Sequence, residues 1–127
     1  MSRLLWADDQ IDVARTLSRA IGNHSIEFVA SGEEAIKALV ARFFDLVLVD
    51  LSMPPGEWGG LWLLEEMKER DIFAPAVVIS GEGTQSETIK AIRLGAIDYV
   101  TKENAERELQ DRIHEAIVRA SAVLENL

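Results

Sequence analysis

The sequence predicts an α/β domain in which helices cover both faces of a parallel sheet. Short apolar runs alternate along the chain with longer segments whose apolar residues recur at helical spacing. The chain has 127 residues, no internal repeat and no low-complexity segment, which suits one domain with its own core. Alternating strands and helices imply parallel strands joined by right-handed crossovers.

Five segments are predicted to be strands. Residues 45–50 read Asp-Leu-Val-Leu-Val-Asp, an apolar run between two acids that is typical of a buried parallel strand. Residues 76–80 form a second apolar run, and Gly81 and Gly83 mark the turn after it. The other predicted strands are residues 3–7, 25–30 and 98–101.

Five helical segments follow the strands. Ser31 and Glu34 form a capping-box pattern at the start of the second helix. Gly22 and Gly95 are placed to end the first and fourth helices. The predicted helices are residues 11–21, 32–42, 61–70, 84–94 and 103–127.

This order of elements is (βα)₅, which is too short for a closed eight-stranded barrel. It predicts a single, doubly wound, five-stranded parallel sheet of order 2-1-3-4-5, the flavodoxin-like arrangement. Ligands of such sheets bind at the carboxyl ends of the strands, beside the point where the strand order reverses. For this order the ligand is expected next to the ends of strands 1 and 3.

The net charge is −9, from 22 acidic and 13 basic residues. This balance favours a cation-binding or protein-binding module and argues against direct binding of nucleic acid. The chain has no cysteine, which excludes disulfides and thiolate metal sites. It has no apolar run long enough to span a bilayer and no signal-peptide pattern, so we expect a cytoplasmic location and no membrane partner.

Polar side chains gather at the predicted strand ends: Asp8 and Asp9 after strand 1, Asp50 after strand 3, Ser80 at the end of strand 4 and Lys102 after strand 5. Crowded carboxylates repel one another and need a cation, and Mg²⁺ is the ion that prefers such oxygens. A carboxylate can attack a phosphoryl group whose charge is neutralised, here by a metal and an ammonium.

Each of these residues also has an ordinary structural explanation. Asp8 or Asp9 would cap the following helix, Asp50 and Ser80 would be turn residues, and Lys102 would be a solvated lysine. Their joint occurrence on one edge of one sheet favours a phosphoryl-acceptor site instead.

Four motifs carry a resemblance to a known family. They are Leu-Trp-Ala-Asp-Asp at 5–9, Asp-Leu-Val-Leu-Val-Asp-Leu-Ser-Met-Pro at 45–54, Val-Val-Ile-Ser-Gly at 77–81 and Gly-Ala-Ile-Asp-Tyr-Val-Thr-Lys at 95–102. Over about residues 3–120 the chain resembles the receiver domain of two-component response regulators, of the chemotaxis-regulator type.

The resemblance implies that Asp50 takes a phosphoryl group from a phosphohistidine of a sensor kinase or phosphotransfer protein. Asp9 and Asp50 would bind Mg²⁺ directly and Asp8 through water, and the Ser52 backbone carbonyl would complete the protein ligands. The family is regulatory and not a classical enzyme, since it catalyses at most its own phosphorylation and dephosphorylation.

The resemblance also implies a switch. Lys102 would pair with the aspartyl phosphate, Ser80 would move toward it, and Tyr99 would turn inward to fill the vacated space. The output surface, which would also support a homodimer, would be helix 4, strand 5 and helix 5. The ordinary alternative for Tyr99 is a strand residue packed against a helix.

The chain departs from the family at two places near the site. Glu103 stands where the family has a proline after the lysine, usually with a cis peptide bond, so this bond is either trans or strained here. The loop after strand 3 is about two residues longer than usual and carries Trp58, which would cover the site, dock a partner or pack locally.

The last predicted helix is also longer than the family requires. Its apolar stripe continues to the end of the chain, and we expect a receiver domain at 1–120 followed by a helical extension at 121–127. The extension would fray, form a dimer or lead into another domain.

Three other functions fit the pattern less well. A degenerate receiver that binds a protein without phosphorylation is the first alternative. An aspartate-nucleophile phosphatase would carry its nucleophile after strand 1, and a flavin carrier would have a glycine- or hydroxyl-rich loop there, where this chain is acidic.

Overall fold

The computed structural model describes residues 2–22, 24–81 and 85–125. Five parallel strands form one sheet of order β2-β1-β3-β4-β5, which confirms the predicted doubly wound topology. The strands are β1 (Ser2–Ala7), β2 (His24–Val29), β3 (Leu46–Val49), β4 (Ala76–Ser80) and β5 (Asp98–Thr101).

Five helices alternate with the strands in the described residues: α1 (Ile11–Ser18), α2 (Gly32–Ala41), α3 (Gly59–Glu69), α4 (Gln85–Arg93) and α5 (Lys102–Glu125). None of these helices has the length and hydropathy needed to cross a bilayer. The predicted start of the fourth helix, Thr84, and the predicted end of the fifth, residues 126 and 127, lie outside the described residues.

Two helix boundaries in the described residues differ from prediction by more than one residue. The prediction that α1 reaches Ile21 is wrong, because the backbone tightens after Ser18 into hydrogen bonds between residues three apart. The N–H of Ile21, for example, donates to the Ser18 carbonyl at 3.2 Å. Helix α3 begins at Gly59, two residues earlier than expected.

The core lies on both faces of the sheet because alternate residues of each strand point to opposite faces. On β1, Leu5 packs in the cluster that includes buried residues of α2 and α3, whereas Leu4 and Trp6 pack in the cluster that includes those of α5. All three side chains are fully buried, and each stabilises the fold by about 1.5–3 kcal/mol.

The start of α2 is capped from both sides. The Ser31 hydroxyl oxygen accepts a hydrogen bond from the Glu34 N–H at 3.1 Å, as the capping-box pattern predicts. The Glu34 carboxylate accepts its bond from the N–H of Ala30, one residue before the cap, at 2.7 Å. The cap therefore orders the chain that leaves β2.

The start of α5 shows how the chain manages without a proline after Lys102. The Thr101 hydroxyl accepts a hydrogen bond from the Asn104 N–H at 3.2 Å, and the helix starts at Lys102 itself. The cis peptide bond found in the described chain is Pro54–Pro55, so the Lys102–Glu103 bond is trans. In the absence of a proline after Lys102, the Thr101 hydroxyl thus caps α5 directly.

The loop after β3 folds tightly against the start of α3. A β-carbon on Gly60 would meet the backbone of Asp50 and Leu51 at distances that no side chain tolerates. The Gly60 N–H donates to the Leu51 carbonyl at 3.1 Å across this close approach. Glycine at this position therefore sets the path of the chain beside Asp50.

We expect Gly60→Ala to lower the free energy of unfolding by about 2–4 kcal/mol, because the added methyl displaces backbone and not a flexible side chain. Urea denaturation measures the loss. Gly22→Ala is the matched control, since its β-carbon would meet nothing closer than the Gln110 side chain at 3.6 Å. Equal losses in the two variants would contradict the argument.

Candidate functional site

Three carboxylates meet at the carboxyl edge of the sheet. Oxygen atoms of Asp8, Asp9 and Asp50 lie within 4.8 Å of one another. Asp8 and Asp50 are 1% and 4% exposed, whereas Asp9 faces solvent. The backbone continues the sheet ladder to this point, with the Asp50 N–H donating to the Ala7 carbonyl at 2.9 Å. The pairing of β1 with β3 therefore brings the three acids together.

Lys102 reaches this cluster from the start of α5. Its ammonium nitrogen lies 3.1 Å from Asp50 Oδ2 and 3.0 Å from Asp8 Oδ2. It also donates to the Gln10 side-chain oxygen at 3.3 Å. The lysine is thus aimed into the site without the proline that usually follows it in the family.

Local turns orient both buried carboxylates. Asp8 Oδ1 accepts a hydrogen bond from the Gln10 N–H at 2.8 Å, and Asp50 Oδ1 accepts one from the Ser52 N–H at 3.1 Å. In each residue Oδ1 is held by the backbone, so Oδ2 is the oxygen that meets Lys102. Within the described residues Asp8 Oδ2 accepts no hydrogen bond of good geometry, although the ammonium is close.

The charges of the site do not balance. Three carboxylates and one ammonium leave two negative charges uncompensated in a mostly buried cluster. Burial, and then the neighbouring Asp8 charge, raise the pKa of Asp50 to about 6 despite the opposing effect of Lys102. Burial alone would lower the pKa of Lys102, but Asp8 and Asp50 outweigh it and raise that pKa. The site therefore favours an added cation.

Ser80 and Tyr99 occupy the neighbouring strands. Ser80 is the last residue of β4, 2% exposed, and pairs in register with Thr101 on β5. Tyr99 is partly buried and packs against the core cluster that includes α3 residues. Ser52 is exposed in the loop, with its backbone beside the Asp50 carboxylate.

Trp58 packs locally in this structure, which is one of the three alternatives raised by the sequence. Its side chain is partly buried against the core, and its carbonyl accepts hydrogen bonds from the N–H groups of Leu61 and Trp62 at the start of α3. The enlarged loop also touches α2, since the Gly32 N–H donates to the Pro54 carbonyl at 2.8 Å.

Gln10 is a site contact that sequence reasoning missed. Its backbone orients Asp8 and its side chain accepts from Lys102. Its place directly after the Asp-Asp pair is the available signal, but a glutamine in a loop carries no chemical signature. The contact arises because the start of α1 and the start of α5 converge on the same sheet edge.

Comparison with known proteins identifies the family to which the chain belongs. The family model of the response regulator receiver domain matches residues 4–114. Response regulator SaeR of Staphylococcus aureus is 33% identical over 122 residues, which cover 94% of this chain and 52% of SaeR. The chain spans about half the length of the curated relatives that it matches.

Solved structures show the same fold. The signal receiver domain of an HD domain-containing protein from Pseudomonas fluorescens Pf-5 superposes with a TM-score of 0.88 at 21% identity, covering 99% of this chain and 93% of that one. NtrX from Brucella abortus gives a TM-score of 0.86 at 26% identity, covering 98% of this chain and 28% of NtrX. The resemblance drawn from the four motifs is confirmed, and the chain belongs to the response regulator receiver domain family.

Proposed function

We propose that Asp50 accepts a phosphoryl group from the phosphohistidine of a sensor kinase or phosphotransfer protein. The supporting observation is that its buried carboxylate lies beside two other acids and 3.1 Å from the Lys102 ammonium. In the transfer, an Asp50 oxygen forms a bond to phosphorus while the phosphorus–nitrogen bond of the donor breaks, and the leaving imidazole takes a proton.

The acidic cluster fits Mg²⁺. All its donors are carboxylate oxygens, two of the acids are buried, and the net negative charge of the cluster favours binding of a cation. Asp9 and Asp50 would hold the ion directly, Asp8 through water, and the Ser52 carbonyl would add a backbone ligand. When bound, the ion supplies charge neutralisation for the entering phosphoryl oxygens.

Lys102 and Ser80 serve the phosphoryl group from the opposite side in this proposal. The Lys102 ammonium is already within ion-pair distance of Asp50, so it neutralises the product without a long movement. Ser80 ends the strand next to β3 and would donate its hydroxyl proton to a phosphoryl oxygen.

The signal would leave through α4, β5 and α5. β5 is an edge strand of the sheet and lies between α4 and α5 in the sequence. Tyr99 lies on this strand with its side chain half-buried. A shift of Ser80 toward the phosphoryl group would open space for Tyr99 and change this surface, which would also support a homodimer. The exposed side chains of Ile89 and Ile92 on α4 supply apolar area there.

The runner-up is a degenerate receiver that binds its partner without phosphorylation. The assembled cluster of Asp8, Asp9, Asp50 and Lys102 favours regulation by phosphorylation over this alternative. The division into a receiver at 1–120 and an extension at 121–127, the lack of direct nucleic-acid binding and the cytoplasmic location stay predictions.

Incubation of the chain with Mg²⁺ and acetyl phosphate is expected to add one phosphoryl group, read by intact mass. Asp50→Asn, which keeps the shape but not the nucleophile, is expected to add none. Omission of Mg²⁺ is the second control. If the wild-type chain gains no phosphate and binds no beryllofluoride, the binding-module alternative replaces the proposal.

Asp50→Asn is also expected to stabilise the metal-free protein at pH 7.5, by about 1–2 kcal/mol after allowance for solvent screening. The pKa of Asp50 rises from 3.8 to about 6 on folding, so the folded state holds more protons between these values and stability falls as pH rises through them. Chemical denaturation at pH 4 and pH 7.5 measures the difference.

The control for that measurement is Mg²⁺. Millimolar Mg²⁺ is expected to stabilise the wild type more than Asp50→Asn, because a ligand of the folded state shifts its apparent stability. A variant that is less stable than wild type at pH 7.5 without metal would contradict the electrostatic account of the site.

Trp58 fluorescence is expected to report Mg²⁺ or beryllofluoride binding, because its loop begins directly after Asp50 and ends at α3. The Trp58→Phe variant keeps Trp6 and Trp62, so subtraction of its spectrum from that of the wild type leaves the Trp58 signal. An unchanged Trp58 spectrum at saturation, with binding verified by the stability shift, would show that the loop does not sense the site.

A further inference from the structure

An apolar groove lies at the amino-terminal edge of the sheet, away from the acidic cluster. Its volume is about 530 Å³, within the range of small-molecule sites. The first residue of β4, Ala76, lines it, whereas Ser80 at the other end of β4 lies at the carboxyl edge. These two residues are separated by roughly 13 Å of strand, so the groove is distinct from the proposed phosphoryl site.

The last turns of α5 form one wall of this groove. Leu109, Ile113 and Ala116 are fully buried, which completes the contact of the helix with the sheet. The same apolar stripe continues to Ala120 and Val123, which line the groove, and Val123 is 53% exposed. The stripe therefore extends over space that none of the described side chains fills.

The charge at the groove is opposite to that of the chain. Lys68, Arg93 and Arg119 line it, and none of the described lining residues is acidic, although the chain carries 22 acidic residues. In the described part of the chain these three cations form no ion pair. An apolar floor beside unpaired cations complements a ligand with an apolar body and an anionic head.

The lining also distinguishes an acyl chain from a peptide. No lining side chain in the described residues carries an oxygen, so the N–H groups of a buried peptide would find few acceptors there. An acyl chain has no polar groups along its length, and its carboxylate would lie at the rim with Arg93 and Arg119. Phe73, which is 56% exposed beside the groove, would gain cover from such a chain.

We propose that this groove binds a medium-chain acyl carboxylate, with the chain against Phe73, Ala120 and Val123 and the carboxylate between the rim arginines. Apolar burial supplies the affinity and the cations select the anionic head. The proposal is independent of phosphoryl transfer at Asp50.

The test is a titration of the full chain with sodium decanoate below its micelle concentration, followed by amide chemical shifts. Saturable one-to-one binding with shifts confined to the groove is expected. Decyltrimethylammonium, with the same chain and opposite charge, is the matched ligand and is expected to bind at least about tenfold more weakly.

Arg93→Glu and Arg119→Glu are each expected to weaken decanoate binding by at least about twofold to fivefold, because each variant loses one exposed ion pair and adds a repulsive charge. Lys37→Glu makes the same charge change on α2, outside the groove, and is expected to leave binding unchanged. Ala120→Trp fills the groove and is expected to abolish binding. Val123→Glu, at an exposed position that tolerates a polar side chain, gives the same loss if Ala120→Trp does not fold.

Equal affinity for the anionic and cationic ligands would overturn the proposal, as would shifts spread beyond the groove. A concentration-dependent dimer that protects Phe73 and Val123 in the absence of ligand would also overturn it, because a second copy would then be the occupant. Asp50→Asn is expected to bind decanoate like the wild type, so failure here and failure at Asp50 remain separable.

Discussion

The rest of the site depends on one interaction, the contact of the Lys102 ammonium with two buried carboxylates. Asp8 and Asp50 end neighbouring strands of the sheet and are held there by the backbone ladder, so their repulsion cannot be relieved by moving apart. Lys102 offsets part of it, and the pKa of Asp50 still rises to about 6. Burial strengthens both the attraction of Lys102 for the two carboxylates and the repulsion between them. An added cation or phosphoryl group would therefore change the electrostatic energy of the site strongly.

The enclosing elements protect this arrangement by close backbone packing. Gly60 lets α3 approach the backbone of Asp50, and the Thr101 cap starts α5 where its first residue reaches the acids. Each feature positions one charged group of the site: the Gly60 contact positions Asp50, and the Thr101 cap positions Lys102. The proline that usually follows the lysine in the family is absent here, and a capped helix start places the Lys102 ammonium 3.1 Å from Asp50 Oδ2.

The two edges of the sheet have opposite characters. The carboxyl edge, where ligands of doubly wound sheets bind, carries the three acids, and the amino edge exposes an apolar groove with a cationic rim. The length of α5 links them: its first residue contacts Asp50, and its later residues Ala120 and Val123 line the groove. A single helix thus contacts both the proposed phosphoryl site and the proposed ligand groove.

The sequence by itself determined the element order, the sheet topology and the polar residues at the strand ends, since period-2 and period-3.6 patterns and strand-end acids are local signals. Only the tertiary structure decided the rest. The early end of α1, the trans Lys102–Glu103 bond, the packing of Trp58 and the contact of Gln10 with Lys102 all depend on which neighbours are brought close by the fold. Distances between groups far apart in sequence follow from strand pairing and helix packing, and no local pattern encodes them.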